Sequence, residues 1–385
     1  MLENALVGDK KYWGWIATLL VVIFISLLYY LKQFHYGLGI TGLGRDVSWG
    51  FYIAQFTFMV GVAASAVMLV LPYYLHNTKA FGKITVLGEL VAIAAVSVCM
   101  LFIFVDMGQP FRIINVFRYP TPHSLMFWDT IVLSGYLLIN AVISWVTLDA
   151  ERKRIAPPGW IKPIILLSVP WAISIHTVTA FLYSGLASRT FWMSAVLAPR
   201  FLASAFASGP ALLILIVFIL RKVAKFDPGK EPVQKLAVIV TYAMSINVFL
   251  VLMEIFTTFY SHIPKDMNHF KFLYVGLNGN TRMVPWMWAS SVLAVISLAL
   301  LIIPSTRKNE NVLGLSCAMV FLSIWIDKGL GMVITGFIPN PLGEVANYWP
   351  TFPEIMISIG VYASGLLLLT LLYKIALSVK RRAAM

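Results

Sequence analysis

Residues 84–106 read ITVLGELVAIAAVSVCMLFIFVD, a segment in which only Glu89 and Asp106 carry charge. A helix rises about 1.5 Å per residue, so a run of this length crosses the roughly 30 Å hydrocarbon core of a bilayer. Its uniformly apolar character differs from the alternating pattern of a barrel strand, and lipid offers no partners to an open backbone. The segment therefore predicts a transmembrane helix.

Nine further runs of similar length and character lie on either side of this segment, and 60% of the 385 residues are hydrophobic. Only 12% are charged, against about 25% in a soluble domain. The sequence thus predicts an all-α polytopic transmembrane bundle, with residues 1–385 forming a single integral membrane domain. The predicted spans are 12–31, 49–75, 84–106, 123–148, 162–186, 201–221, 235–260, 283–303, 312–337 and 353–378.

Positive charge is distributed unequally between the two ends of the predicted bundle. Nineteen of the 29 Lys and Arg residues fall in the terminal segments and even-numbered loops, nine fall in the odd-numbered loops, and Lys328 lies inside a span. Positive residues favour the cytoplasmic side, so we predict a cell-membrane protein with both termini in the cytoplasm. The net charge of +13 is explained by this pattern, and we expect no nucleic-acid partner.

Metal cofactors are disfavoured by the residues available. The two cysteines, Cys99 and Cys317, both lie in apolar runs, and an iron–sulfur cluster needs about four thiolates. A bis-histidine haem needs two facing histidines, but His176 alone lies deep in a span, with His123 at the start of another. We therefore expect neither haem nor an iron–sulfur cluster in this chain.

Spans 2 to 5 place six polar side chains in the outer half of one helix group. A charge near the bilayer centre costs about 3 kcal/mol on insertion scales, so such residues need a reason. A quinone needs hydrogen-bond donors for its carbonyls and a group that exchanges protons, and histidine titrates near neutrality. The set fits a quinone, while a transporter of ions or drugs stays open. Its members are Tyr52, Asp106, Arg112, Ser124, Asp129 and His176.

Glu89 lies near the inner end of span 3, apart from these six residues. It either begins a proton path from the cytoplasm or pairs with a loop lysine such as Lys83.

Spans 5 and 9 contain a short repeat. His176 follows Ile175 and precedes Gly185 by nine residues, while Asp327 follows Ile326 and precedes Gly336 by nine. The repeat predicts two four-helix groups, spans 2–5 and 6–9, flanked by spans 1 and 10. Duplicated halves are common in transporters, so a secondary transporter is the alternative function, and Lys328 beside Asp327 would fit its site.

Several motifs resemble those of the NrfD / polysulfide-reductase membrane-subunit family. DMGQPFR (106–112), followed by PTPHSLMFW (120–128), is similar to that family's Asp-x-Gly-x-Pro-x-Arg turn and serine-containing helix start. WGFY (49–52) and SIHTVTAF (174–181) are similar as well. The ten spans and YWPTFPE (348–354) resemble the larger members, foremost the membrane subunit of the sulfite-reduction-associated complex.

The resemblance implies a subunit that exchanges electrons between menaquinone, or another quinone, and a ferredoxin-like iron–sulfur subunit at the outer face. It also implies further membrane and cytochrome subunits, a link to dissimilatory sulfur metabolism and, in larger members, proton translocation. The six polar residues become the implied quinone site, with His176, Asp129 and Asp106 in catalytic roles. The implied proton-path residues are Glu89, Glu254 and Asp327.

Overall fold

Ten long helices form the body of the computed structural model, which describes residues 2–75 and 79–384. Each is long and apolar enough to cross a membrane, and the described residues contain no β-strand, which confirms the predicted all-α polytopic bundle. His76 lies outside the described residues. In chain order the helices are α1 (Lys10–Tyr36), α2 (Phe51–Ala63, continued by Val67–Val70), α3 (Thr85–Asp106), α4 (Leu125–Lys153), α5 (Ile161–Ser184), α6 (Leu197–Val223), α7 (Lys230–Tyr260), α8 (Val284–Ile302), α9 (Glu310–Ile324, continued by a π-helical turn, Trp325–Gly331, and by Met332–Thr335) and α10 (Phe352–Ala384).

Shorter helical segments occupy the ends and the connections. The longest is the loop helix Pro264–Tyr274, between α7 and α8. The others are the 3₁₀ segments Leu2–Leu6, Gly37–Ile40, Lys79–Lys83, Pro110–Ile114 and Thr190–Trp192, the π-helical Leu71–Leu75, and the α-helical Asn115–Arg118 and Pro304–Lys308.

Several helices extend past the apolar runs that predicted them. α4 continues to Lys153, because Asp149 forms ion pairs of 2.6 Å with both Arg152 and Lys153. Pairs three and four residues apart support helical structure in polar segments that hydropathy alone assigns to loops. α6 likewise begins at Leu197, so Arg200, which we predicted in an odd-numbered loop, lies inside a helix.

The ten helices pack as two rings of four, in agreement with the predicted groups. α2, α3, α4 and α5 contact one another in a closed ring, and so do α6, α7, α8 and α9. α2 and α5 join the rings by packing on α6, while α1 and α10 pair with each other and α10 packs on α3. This continuity supports our proposal that residues 1–385 form a single integral membrane domain.

The two ends of the bundle are held by different contacts. At one end, which we call the motif end because it carries residues 106–112, Asn340 donates to Asp46 at 3.5 Å across two loops. At the other, the basic end, Arg221 pairs with Glu310 at 2.8 Å and Lys380 pairs with Glu151 at 3.1 Å. The first and last described segments of the chain also meet there, where Arg382 donates to Asn4 Oδ1 at 3.4 Å.

α2 is the central helix, and every residue from Tyr52 to Ala63 is buried. Its contact with α6 is made by small residues four apart on each helix: Gly61 and Ser65 on α2, Ala205 and Gly209 on α6. A Cβ added at Gly209 would lie 3.0 Å from the backbone nitrogen of Ser65. Small residues at this spacing let two backbones approach closely, as membrane helices often do.

Gly209→Ala is expected to lower the stability of the folded chain by about 1–3 kcal/mol, because the new methyl group meets backbone that cannot move aside. Thermal unfolding in detergent would measure the effect. The matched control is Gly14→Ala, since a Cβ at this exposed helical glycine meets nothing within 4 Å. Equal unfolding midpoints for the two variants would contradict the close contact between α2 and α6.

Candidate functional site

Glu354 organises the motif end next to the start of α10. This fully buried carboxylate accepts hydrogen bonds from Gly42 N at 2.8 Å, Thr351 N at 2.7 Å and the Tyr348 hydroxyl at 2.9 Å. The Tyr348 oxygen in turn accepts from Phe51 N at 2.6 Å, at the first residue of α2. Burial, together with the charge of Glu354, raises the pKa of Tyr348, so its hydroxyl stays protonated and donates. The network fixes the start of α2.

Tyr52 and Asp106 lie beside this network. The Tyr52 hydroxyl donates to Gln33 Oε1 at 2.7 Å, and Gln33 Nε2 donates to the carbonyl of Val105 at 2.6 Å. Asp106 closes α3 with its Oδ1 buried and without a hydrogen-bond partner in the described residues. Gln33, on α1, is therefore a site residue that our search for ionisable groups missed.

Asp129 and His176 belong to a second polar group inside the first ring. Thr179 donates to Asp129 Oδ1 at 2.7 Å. His176 is fully buried, and neither ring nitrogen has a hydrogen-bond partner in the part of the chain that the structure describes. The Tyr183 and Thr57 hydroxyls share a short hydrogen bond. His176, Thr179 and Tyr183 are three and seven residues apart, so they form one polar stripe along α5.

Asp106 ends α3 at the motif end and Asp129 lies about one turn from the start of α4, so the two groups lie at the same end of the first ring. Four of the six predicted site residues are thus held within the ring and its motif end.

Arg112 and Ser124 lie apart from these groups. Arg112 is exposed in the 3₁₀ segment Pro110–Ile114 and forms no ion pair with Asp106. Ser124 precedes α4 in the capping position, but its side chain makes no capping hydrogen bond. The motif 106–112 therefore ends α3 and turns the chain, while its arginine faces outward from the motif end.

The second ring contains an ion triad whose side chains are only 9% to 16% exposed. Arg200, on α6, pairs with Glu254 at 2.5 Å and with Asp327 at 2.7 Å. Glu254 and Asp327, both predicted proton-path residues, thus share one guanidinium. Lys328 does not pair with its neighbour Asp327: its Nζ lies 3.4 Å from the carbonyl of Phe201 and 4.2 Å from that ring's centroid. These adjacent side chains, both in the π-helical turn of α9, therefore have different partners.

Glu89 lies on α3 toward the basic end, where it is buried and accepts a 3.2 Å hydrogen bond from Ser144 on α4. The considered ion pair with Lys83 does not form. The third predicted proton-path residue is therefore separate from the triad and belongs to the other ring.

Comparison with known proteins assigns the family. The model of the family "Polysulphide reductase, NrfD" matches residues 39–334, which is most of the chain. A protein of Halobacterium salinarum, named by inference as a membrane subunit of dimethyl sulfoxide reductase, is 26% identical over 92% of this chain and 89% of its own length.

Two further relatives have names that mention menaquinone or menaquinol. The menaquinone reductase integral membrane subunit of Nitratidesulfovibrio vulgaris is 22% identical over 95% of this chain and 91% of its own length. The Hdr-like menaquinol oxidoreductase integral membrane subunit of Archaeoglobus fulgidus is 24% identical over 64% of this chain and 61% of its own. With ten membrane-spanning helices and a family match across both rings, the chain belongs to the NrfD family of polysulphide-reductase membrane proteins.

Proposed function

We propose that this chain is the quinone-interacting membrane subunit of a respiratory redox complex. It exchanges electrons between menaquinone or menaquinol and a ferredoxin-like iron–sulfur subunit bound at the motif end. The family membership and the menaquinone-linked names of two relatives support this proposal. Further membrane and cytochrome subunits would complete the complex, and a role in dissimilatory sulfur metabolism is part of the proposal.

The observation that carries the proposal is His176. A fully buried imidazole whose two nitrogens lack partners among the described residues is unusual, because buried polar groups are nearly always hydrogen-bonded. A bound quinone supplies two-electron, two-proton redox chemistry. Imidazole exchanges protons near neutral pH and offers a donor or an acceptor to a carbonyl or hydroxyl group. The residues therefore fit such a molecule.

The other site residues take supporting roles. Asp129, held by Thr179, is the second proton-exchanging group, and Asp106 is the third, at the end of α3. The Tyr52 hydroxyl is oriented by Gln33, and Ser124 begins α4 at the same end. Arg112 is exposed and would contact an acidic surface of the iron–sulfur partner.

Orientation follows from charge. The excess of Lys and Arg at the basic end supports a cytoplasmic location for that end and for both termini, with the chain in the cell membrane. The motif end then faces outward, where the iron–sulfur subunit would dock. Glu89, near the cytoplasmic side, would begin a proton path in the first ring, and Glu254 and Asp327 would serve the second.

A secondary transporter with duplicated halves is the second candidate function. The buried charges of the second ring favour it, because intramembrane charges often mark ion pathways. Solute transport by the isolated chain in liposomes, with no copurifying iron–sulfur partner, would favour the transporter over the redox subunit.

His176→Ala and Asp129→Asn are each expected to slow quinol oxidation by the purified complex by about a hundredfold or more, because positioned proton transfer contributes at least that factor. Steady-state oxidation of a menaquinol analogue measures the rate. His35→Ala, at an exposed histidine on α1, is the matched control and should keep the wild-type rate. Wild-type rates in both site variants would remove these residues from the reaction.

Glu89→Gln is expected to leave quinol oxidation unchanged and to lower the number of protons translocated per electron, because the amide cannot exchange a proton. Proton release from vesicles that contain the complex measures this ratio. Glu231→Gln, at an exposed glutamate of the basic end, is the control. An unaltered ratio in the Glu89 variant excludes that residue from a proton path.

Arg200→Met is expected to destabilise the chain by about 3 kcal/mol, because it leaves two largely buried carboxylates without a counter-charge. Adding Glu254→Gln and Asp327→Asn should restore most of the loss. Thermal unfolding in detergent compares the three proteins. A single variant as stable as wild type would contradict the triad, and normal proton translocation in the triple variant would assign Glu254 and Asp327 a structural role.

A further inference from the structure

A cavity of about 510 Å³ lies outside both rings, where α2 and α3 face α9 and α10. Its wall along α10 runs from Ile355 to Leu369, a distance of about 21 Å at the helical rise. Three wall residues expose nearly half of their surface: Leu322, Ile359 and Leu366, at 46%, 44% and 47%. The cavity therefore opens sideways, between α9 and α10, toward the lipid.

The cavity is distinct from the stripe that contains His176. Gln55 lines the cavity, while Thr57 bonds to Tyr183 on α5. Two residues along a helix differ by about 200° around its axis, so these side chains leave α2 on opposite sides. Neither His176 nor Asp129 is among the residues that line the cavity.

Gln55 provides a polar group of defined orientation in this apolar wall. Its Oε1 accepts two hydrogen bonds of 2.7 Å, from Trp325 Nε1 and from the Tyr362 hydroxyl. These donors determine which end of the amide is oxygen, and its Nε2 is left buried without a partner in the described residues. Ser358, also on the wall, has a buried hydroxyl that likewise lacks a partner in that part of the chain.

The lining indicates the class of ligand. Among the described residues, no charged side chain lines the cavity. The charged headgroup of a phospholipid would therefore find no ion-pair partner in this lining. Two unsatisfied groups able to donate hydrogen bonds match a molecule that carries carbonyl oxygens and no charge. An apolar groove of this length matches an extended hydrocarbon chain, and a volume of this size is typical of small-molecule sites.

We propose that this cavity is a lipid-facing binding site for an isoprenoid quinone, with Gln55 Nε2 donating to a ring carbonyl and the chain lying along α10. The proposal rests on the proposed function for the identity of the ligand. Gln55 lies one helical turn from Tyr52, and Ser358 lies one turn from Glu354, so the polar part of the cavity is next to the network of the motif end. The site would exchange quinone between the membrane and the subunit.

Photolabelling of the purified complex with an azido-quinone that carries an isoprenoid chain tests the site, with the label located by peptide mass spectrometry. Label is expected on α9 at 321–325 and on α10 at 355–369. Leu366→Trp fills the opening and should reduce the label on these two segments to background. Gln55→Leu should lower it about fivefold, the effect of one neutral hydrogen bond. Leu28→Trp, at a residue of α1 that is also about half exposed, is the matched control.

Competition separates the two sources of a long hydrocarbon chain. Unlabelled menaquinone should displace the probe, and phosphatidylglycerol should not. Displacement by both lipids alike, label found elsewhere on the chain with none at the cavity, or full labelling of the cavity in the Leu366 variant would each overturn the inference. Labelling of the cavity without quinol oxidation would contradict the proposed function and support the cavity site. Quinol oxidation without labelling of the cavity would support the proposed function and contradict the cavity site.

Discussion

The burial of α2 among the other helices is the constraint on which the rest of the structure depends. Small residues allow α6 to approach its backbone, and Gly329 of the π-helical turn lies against the carbonyl of Ala54. Glu354, through Tyr348, fixes where the helix begins. With α2 held by these contacts, its polar side chains point in three directions: Tyr52 toward α1, Gln55 toward the lipid-facing cavity and Thr57 toward α5.

Hydropathy was sufficient to predict ten helices and an all-α fold, because only helices and closed barrels satisfy their backbone hydrogen bonds in lipid. It could not predict how the helices pack. α1 and α2 are both strongly apolar, yet α1 buries few of its residues and α2 buries nearly all. Lipid tails are as apolar as a protein interior, so composition does not distinguish a helix in lipid from one in the core. The internal repeat supplied what composition lacked, since it predicted the two groups of four.

The sequence predicted how deep each candidate site residue lies along its helix, but it did not predict the direction of every side chain. Asp129 and His176 are buried inside the first ring, whereas Arg112, near the same end, faces away from it. Counting residues gives a position along a helix axis, but the side-chain direction depends on neighbours that a single sequence does not reveal. Gln33 and Gln55 were missed because the search considered ionisable groups, and Arg200 because it follows directly on a loop.

The π-helical turn in α9 has a consequence for the way the second ring is built. A π turn contains one residue more than an α turn, so removing that residue would rotate everything after it by about 100°. Met332–Thr335 and Gly336 follow the turn, and the bare backbone of Gly336 leaves the space that the Trp192 ring fills. The inserted residue thus determines the direction in which Gly336 faces, and so whether the Trp192 ring can pack against it. Asp327 of the charged triad lies in the same turn, so one helical irregularity positions both the triad and this aromatic contact.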